Sequence, residues 1–408
     1  MTTRSPLAPD KFPDLPAIDG LGLAVAASGL RYKDRSDLLL ITLCDTATVA
    51  GIFTQSDTAA APVIWSRNVV ASGRVVAILT NAGNANAFTG DRGFDTVHQT
   101  SSALAGALGI NPKQILLAST GVIGEPFESS KLSAYFPQLI ANQGASWEQA
   151  ARAILTTDTF PKGAHVTCEI DDVSVNICGI AKGSGMIAPN MATMLGYIAT
   201  DATLPADLLQ TLLVATANHS FNAITVDSDT STNDTVFLIA TGRASTPKIS
   251  SSDDPKLAGF CEALRLLMVD LATQIVRDGE GATKFITISV SGTDTDKQAR
   301  LIGLAIGNSP LVKTAIAGED ANWGRIIMAV GKSGFGINQQ AISIKIGGLP
   351  VAVNGMRVAD YDEIPIAAHM QTESIDIAVS VGAGPGVATV YSCDLTHGYI
   401  SINADYRS

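Results

Sequence analysis

Apolar and polar positions along the chain follow two spacings that recur from the first quarter to the C-terminal end. Short runs of branched apolar residues predict buried strands at residues 75–80, 115–118, 193–200, 236–241, 286–290, 342–346, 375–381 and 387–391. Longer stretches with apolar residues at helical spacing predict helices at residues 95–108, 130–143, 146–156, 205–218 and 255–277.

The connections between these elements indicate the fold class. Residues 165–180 contain two β-rich runs separated by Asp171 and Asp172, which is the pattern of a hairpin, and they lead into Lys182-Gly183-Ser184-Gly185. Strands and helices are mixed along the chain, and several connections are of the hairpin type. We therefore predict an α+β fold of stacked helical and sheet layers rather than a doubly wound parallel sheet.

Length and composition narrow this expectation. The 408 residues exceed what one hydrophobic core usually fills, so we expect two lobes, or one large two-layer domain with an appendage. Hydrophobic residues make up 46% of the chain but aromatic residues only 5%. The interior must therefore consist mainly of Ala, Val, Ile and Leu, which suits helices packed on sheets.

The charge of the chain indicates the class of partner. The formal net charge is -11, and the sequence has no cluster of Lys and Arg. Nucleic acids and anionic membranes both require a positive surface, so a small molecule is the expected partner. No apolar run has the length of a bilayer span, and the first residues do not have the pattern of a signal or transit peptide, so we expect a cytoplasmic protein.

Cysteines and histidines give no sign of a metal or disulfide framework. The cysteines are odd in number, widely spaced and without a CxxC pair: Cys44, Cys168, Cys178, Cys261 and Cys393. The histidines are equally dispersed and form no HExxH pair: His98, His165, His219, His369 and His397. We expect no metal site.

Four segments combine Gly, Asn, Asp and hydroxyl residues beside apolar strands: residues 80–90, 118–124, 181–195 and 221–234. Each by itself is typical of a turn. Together they indicate a site built from backbone amides and hydroxyls. Ser119-Thr120-Gly121 directly follows a predicted strand, as an oxyanion hole requires, although an ordinary turn would have the same pattern. Residues 221–234 lack the ligand order of a calcium loop, so we interpret them as an internal hydrogen-bonding scaffold.

The sequence contains no conventional nucleophile motif. It has no GxSxG elbow, and no Cys has a recognisable His partner. A threonine at a chain N-terminus needs neither, because its own α-amine, with a pKa of roughly 7.7–8.0, can act as the base. That solution requires cleavage of the chain.

One segment carries a specific resemblance. Residues 182–195, KGSGMIAPNMATML, resemble the self-processing motif of the ornithine acetyltransferases, the bifunctional glutamate N-acetyltransferase family of arginine biosynthesis. The resemblance extends in order over nearly the whole chain, through TNAGNANAFTG, ASTGVIG, TTDT, SFNAITVDSDTSTND, DGEGATK, NSPLVKTA, EDANWGR and the final INADYRS.

The resemblance implies a fold of mixed sheets sandwiched between helical layers, similar to but distinct from the N-terminal nucleophile hydrolases. It also implies self-cleavage between Ala192 and Thr193, giving an α chain of residues 1–192 and a β chain of residues 193–408. Thr193 is then the nucleophile, and Thr120 with Gly121 stabilises the oxyanion. The residues that match substrate-contacting positions of the family are Thr156, Lys182, Thr193, Glu280, Asn403 and Ser408.

The implied reaction moves an acetyl group from N-acetylornithine to glutamate through an acetylated Thr193, and it needs no cofactor. Lys182 suits a substrate carboxylate, whereas Glu280 and the carboxylate of Ser408 suit its amines. The chain ends in Ser408 where the family commonly has Thr, and it has Ala223 and Ser228 where Arg and Gly are frequent. The family implies a heterotetramer of two α and two β chains.

The sequence leaves several questions open. Acetyl-CoA is a second conceivable donor, and the sequence does not decide whether it is used. An N-terminal nucleophile amidase or aminopeptidase would share the self-cleavage, but the combination of Lys182, Glu280 and Asn403 favours the transferase. A paralogue that acts on other N-acyl amino acids, and a non-catalytic protein that binds amino acids, are the further alternatives.

Overall fold

The computed structural model describes residues 3–71, 74–188 and 194–404. Within these ranges the strands are β1 (Leu21–Ala26), β2 (Leu38–Leu43), β3 (Thr48–Phe53), β4 (Ala77–Asn84), β5 (Ile115–Val122), β6 (Lys162–Ile170), β7 (Val173–Lys182), β8 (Leu195–Thr200), β9 (Ile224–Thr225), β10 (Thr235–Ala240), β11 (Phe285–Gly292), β12 (Ser343–Ile346), β13 (Leu349–Val353), β14 (Met356–Arg357), β15 (Ser374–Ser380) and β16 (Gly384–Cys393).

The α-helices of the same ranges are α1 (Ala61–Val70), α2 (Asp91–Leu108), α3 (Ser130–Ser133), α4 (Phe136–Ala141), α5 (Trp147–Ala153), α6 (Ala206–Ala217), α7 (Ala258–Arg277), α8 (Asp296–Gly307), α9 (Pro310–Ala317), α10 (Trp323–Gly331), α11 (Glu363–Met370) and α12 (His397–Asn403).

The strands form three mixed sheets. The first has the order β1-β2-β4-β5, the second β3-β10-β8-β7-β6, and the third β14-β13-β12-β15-β11-β16-β9. Each contains both parallel and antiparallel pairs; in the second sheet, for example, β8 runs parallel to β10 and antiparallel to β7. This arrangement confirms the predicted α+β class and excludes a doubly wound parallel sheet.

The first two sheets pack face to face between two helical layers. Ile41 and Ile78 of the first sheet share one hydrophobic core with Tyr197 and Phe237 of the second. The opposite face of the first sheet packs against α2 and α4, and the opposite face of the second packs against α6 and α7. Strand residues that are buried on both faces are almost uniformly apolar, which explains the continuous hydrophobic runs of the sequence.

The third sheet forms a separate layered unit with α8, α9, α10 and α11. It joins the rest of the molecule through β9 and β16, which lie near α7. The chain is thus a four-layer α/β/β/α body with an appended α/β unit, which has more layers than the two-layer domain with an appendage that the length suggested.

Several predicted element bounds need correction. The helix predicted at 130–143 is two short helices, because Pro137 has no amide hydrogen to continue the first one and lies instead in the first turn of α4. The helix predicted at 146–156 ends at Ala153, although its Ser146 N-cap is confirmed. Ser119, Thr120 and Gly121 do not follow β5 but form its last part, paired with β4.

The two halves of the chain are not separate domains. β7 precedes the proposed cleavage point and β8 follows it, yet the two strands are antiparallel neighbours from Ile177↔Thr200 to Lys182↔Leu195. The second sheet is therefore built from both halves. None of the helices in the described ranges is both long and apolar enough to span a lipid bilayer.

Candidate active site

The residues predicted from the sequence meet in one cavity. Its volume is about 200 Å³, and it lies where the ends of β5 and β7 meet the turn before β11 and the C-terminal helix α12. All six candidates that fall within the described ranges line it: Thr120, Gly121, Thr156, Lys182, Glu280 and Asn403. They come from sequence positions up to 283 residues apart, counted from Thr120 to Asn403.

Thr120 and Gly121 reach the cavity at the end of β5. Gly121 has a φ of 129°, and a Cβ atom there would lie 2.2 Å from the carbonyl carbon of Gly83 on β4. Only glycine fits a position with this φ and this contact. The Thr120 and Gly121 region is partly exposed toward the cavity, whereas the preceding residues of β5 are buried. Thr120 and Gly121 are thus neighbours in the cavity lining, and a hydroxyl residue beside a glycine is the combination that the predicted oxyanion hole requires.

Asn233 fixes this end of the first sheet from the other half of the chain. Its buried side chain donates hydrogen bonds to the carbonyl oxygens of Ala85, at 2.6 Å, and Ser119, at 2.9 Å. The carbonyl of the residue just before Thr120 is therefore held in place. Residues 221–234 form the internal hydrogen-bonding scaffold that the sequence predicts.

Lys182 is the one cationic side chain among the described residues that line the cavity. It is the last residue of β7, it is 5% exposed, and its Nζ lies 3.8 Å from Oδ2 of Asp158. Asp158 also accepts hydrogen bonds from the backbone N–H groups of Thr156, at 3.0 Å, and Gly183, at 2.6 Å. This one carboxylate therefore ties together two of the predicted substrate-contacting positions.

A buried ion triad lies beneath Lys182. Lys162 is fully buried, and its Nζ lies 2.8 Å from Oδ1 of Asp158 and 2.6 Å from Oδ2 of Asp278. Burial alone would raise the pKa of Asp158, but Lys162 and Lys182 outweigh burial and hold that pKa well below its usual range. Burial would likewise lower the pKa of Lys162, but the two carboxylates raise it. Lys162 and Asp158 are therefore both charged.

Glu280 is a buried acid at the opposite wall. Its Oε2 accepts a hydrogen bond of 2.6 Å from Nδ2 of Asn403, which lies on the exposed helix α12. Burial raises the pKa of Glu280, while the hydrogen bonds from Asn403 and Thr157 and the charge of Lys182 act in the opposite direction. Burial and the surrounding donors thus act on the Glu280 pKa in opposite directions, as is common for acids at functional sites.

The sequence did not single out Asp227 and Tyr399, which also line the cavity. The Tyr399 hydroxyl donates to Oδ2 of Asp227 at 3.3 Å. Burial is the largest factor that raises the pKa of Asp227, and it also raises the pKa of Tyr399. A signal for Asp227 was available, because it lies in the polar segment 221–234. No local signal marks Lys162, since a single lysine at the start of a strand is ordinarily exposed.

Ala192, Thr193 and Ser408 lie outside the described residues. The chain on either side of residues 189–193 is described, and Met194 is buried directly before β8. Leu195 is the register partner of Lys182, so the strand that follows Thr193 begins beside the cavity.

The charges of the cavity are arranged for a zwitterionic ligand. Lys182 provides one positive group, and Glu280 and Asp227 provide carboxyl groups on the same cavity wall as Tyr399 and Asn403. Within the described ranges, no three His, Cys, Asp or Glu residues lie close enough together to hold a metal ion. A larger cavity of about 520 Å³ opens against the third sheet and is lined by Arg265, Arg300 and Lys345, but it contains none of the predicted residues.

The comparisons with known proteins identify the family of the chain. The profile of the ArgJ family matches residues 22–408. "Arginine biosynthesis bifunctional protein ArgJ" from Agrobacterium fabrum is 50% identical over 408 residues, covering 99% of each chain. The protein of the same name from Gluconobacter oxydans is 50% identical over 405 residues, covering 99% of this chain and 95% of its own.

A solved structure adds a three-dimensional match. The crystal structure of arginine biosynthesis bifunctional protein argJ from Bacillus halodurans is 43% identical, with a TM-score of 0.51. The match covers 52% of this chain and all of that chain. The family predicted from the motifs is thereby confirmed, and the chain belongs to the ArgJ family.

Proposed function

We propose that this chain is a self-cleaving acetyltransferase of arginine biosynthesis that moves an acetyl group from N-acetylornithine to glutamate. The observation that carries the proposal is the convergence of Thr120, Gly121, Thr156, Lys182, Glu280 and Asn403 on one cavity. Relatives that share half of this sequence over nearly its full length are named for arginine biosynthesis.

The proposed activation is cleavage between Ala192 and Thr193. The Thr193 hydroxyl attacks the carbonyl carbon of Ala192, the C–N bond breaks, and the amine takes the proton. Water then hydrolyses the resulting ester, leaving a carboxylate on Ala192 and a free α-amine on Thr193. The solved Bacillus halodurans chain supports this step. All of that chain matches only about half of the present chain, as expected for one of two fragments. The cut gives an α chain of residues 1–192 and a β chain of residues 193–408.

The proposed transfer proceeds in two half-reactions. The Thr193 oxygen attacks the acetyl carbonyl of N-acetylornithine, and ornithine leaves with its nitrogen protonated. The glutamate α-amine then attacks the acetyl ester, and the proton returns to the Thr193 oxygen. Thr120 and Gly121 stabilise the negative oxygen of both tetrahedral intermediates. Because each half-reaction uses the same ester, the kinetics are ping-pong.

Recognition of the two amino acids follows from the charges. The substrate carboxylate binds Lys182, which is kept in place by Asp158 at 3.8 Å. The amines bind Glu280, with Thr156, Asn403 and the Ser408 carboxylate as further contacts. A chain with several buried carboxyl groups around one cation suits ornithine, which has one more amine than it has carboxylates.

A second activity is supported by the names of the relatives, which call those proteins bifunctional. Acetyl-CoA would acetylate the same Thr193 in place of N-acetylornithine, so that glutamate is acetylated without recycling ornithine. We also propose a heterotetramer of two α and two β chains, located in the cytoplasm.

The test is denaturing intact mass of the purified protein beside a Thr193→Ala variant, followed by assays of each donor with glutamate. We expect two fragments that meet at residues 192 and 193 in the wild type, an uncut variant, and acetylglutamate formed from N-acetylornithine. An uncut wild type would refute the mechanism and favour a binding protein. A cut protein that releases acetate but forms no acetylglutamate would favour an amidase.

A further inference from the structure

Both flanks of residues 189–193 are bonded to one short segment, residues 225–235. On the N-terminal flank, Asp227 accepts two backbone hydrogen bonds, from Met186 N–H at 2.5 Å and from Ile187 N–H at 2.8 Å. Met186 has a φ of 55°, a conformation that side-chain-bearing residues rarely adopt. The Asp227 carboxylate therefore stabilises an unfavourable backbone turn.

The carbonyl groups of the same flank are bound by the same segment. The carbonyl oxygen of Ile187 accepts hydrogen bonds from the N–H of Val226 at 2.8 Å and from the hydroxyl of Thr225 at 3.2 Å. The next carbonyl, that of Ala188, accepts from the Thr230 hydroxyl at 3.4 Å. Each described residue from 186 to 188 thus has a backbone group fixed by residues 225–230.

The C-terminal flank is held in the same manner. Met194 N–H donates to Oδ1 of Asp234 at 3.0 Å, and the Met194 carbonyl accepts from Thr235 N–H at 3.0 Å. Asp234 is buried, so the hydrogen bond that its Oδ1 accepts from Met194 is shielded from water.

We propose that Asp227 and Asp234 are positioning residues for self-cleavage, which hold the chain on both sides of the Ala192–Thr193 bond. This inference rests on the proposed function, because it assumes that the bond is cut. Attack on a neighbouring carbonyl depends on the relative orientation of the hydroxyl and the peptide, and small displacements reduce such rates strongly. Residues 225–235 bind both residues 186–188 and Met194. One continuous piece of chain therefore sets the distance between these two flanks of the cleavage point.

Asp234 offers a sharp test, because its substitutions can be matched. Asp234→Ala removes the acceptor of the Met194 N–H, whereas Asp234→Asn keeps one carbonyl oxygen in the same place. Asp234→Ala leaves the Met194 N–H without its acceptor and should slow cleavage at least about tenfold, and Asp234→Asn should restore most of the rate. Asp253→Asn, on an exposed loop, is the control for loss of one negative charge.

The readout is the fraction of uncut chain by intact mass over time after synthesis. We expect the wild type and Asp253→Asn to be cut, and Asp234→Ala to accumulate the uncut 408-residue chain. Cleavage of Asp234→Ala at the wild-type rate, or equal slowing in Asp234→Asn, would overturn the inference. An uncut wild type would instead refute the proposed function itself, so the two failures are distinguishable.

A second variant covers the case in which Asp234→Ala does not fold. In Asp227→Asn the amide group would place a donor against one of the two N–H groups of Met186 and Ile187, so cleavage should again slow at least about tenfold. Hydrogen exchange in the uncut Thr193→Ala background should show faster exchange at these two amides and unchanged protection of β10. Wild-type cleavage in Asp227→Asn would overturn the inference.

Discussion

Gly185 and Glu280 are in such close contact that a Cβ atom at position 185 would lie 2.4 Å from the Glu280 carboxyl carbon. The absence of a side chain at Gly185 therefore gives the Glu280 carboxyl group the space that it occupies. Glycine at this position leaves room for the end of the Glu280 side chain, which would have to move if a Cβ atom were added; the backbone does not demand glycine, since Gly185 has no positive φ.

Substitution of Gly185 by alanine should consequently displace Glu280 from the cavity wall. We expect KM for N-acetylornithine to rise at least about tenfold, because a forced contact of this kind typically costs 1–3 kcal/mol. The measurement is steady-state kinetics on protein that intact mass shows to be cut. Gly144→Ala is the matched control, since a Cβ atom there would meet nothing within 4 Å. An unchanged KM in Gly185→Ala would show that Glu280 does not bind this substrate.

The sequence allowed the layers and the cavity residues to be predicted to different extents. Strands such as β10 and helices such as α7 could be located because their apolar spacing is set by burial on a known face. Lys182 and Glu280 could be assigned to the site because the motifs around them resemble those of the ornithine acetyltransferases. The spacing of apolar residues does not reveal which strands pair. The contribution of both halves of the chain to the second sheet could therefore not be predicted.

The sequence did not indicate the buried charged residues whose ionic partners lie far away in the chain. Lys162 and Asp278 are 116 positions apart, and nothing in the local sequence of either residue predicts their pairing. Asp158 could have been noticed within TTDT, but its pairing with Lys182 depends on the turn after residue 153. Ion pairs of this kind are fixed by tertiary packing, which local propensity does not encode.

The buried triad predicts a large loss of stability in Lys162→Met. Removing this cation leaves Asp278 buried without its counter-charge and Asp158 with only the more distant Lys182, and the loss of one partner of a buried pair typically costs about 3–5 kcal/mol. The free energy of unfolding from urea titration is the measurement. Lys256→Met, which removes the cation of an exposed pair with Asp171, should leave stability nearly unchanged. Equal stability of Lys162→Met and the wild type would contradict the charged triad.

Asn403 should influence the pH at which Glu280 ionises and can bind a substrate amine. Burial raises the pKa of Glu280, and the hydrogen bond from Asn403 opposes that rise by stabilising the ionised form. Asn403→Ala removes this donor, so the pKa of Glu280 should rise further. Because amine binding requires the carboxylate, kcat/KM falls as pH decreases through this pKa, and the acidic limb should move to higher pH in the variant.

The measurement is the profile of kcat/KM between about pH 4 and pH 8. Ser401→Ala is a suitable control on the same helix, because its hydroxyl donates only to the carbonyl of His397. A limb that moves to lower pH, or that moves equally in both variants, would contradict the assignment of the limb to Glu280.

Thr120 should act on the rate of the chemical step rather than on binding. Thr120 lines the cavity next to Gly121 at the end of β5, and the carbonyl of Ser119 before it is held by Asn233. Removal of one oxyanion donor usually lowers kcat by about 10²–10³, so we expect this loss in Thr120→Ala with little change in KM. Thr120→Ser keeps the hydroxyl and should keep most of the activity.

The two Thr120 variants also separate catalysis from self-cleavage. Both tetrahedral intermediates of acetyl transfer and the intermediate of the N-to-O shift carry a negative oxygen, so a shared oxyanion hole would slow both reactions in Thr120→Ala. Intact mass before each assay gives the cut fraction, by which kcat is then divided. If Thr120→Ala is fully cut and retains its kcat, Thr120 is not an oxyanion donor, and the Gly121 N–H would need another partner. If cleavage stops while Thr120→Ser is cut normally, one hydroxyl serves both reactions.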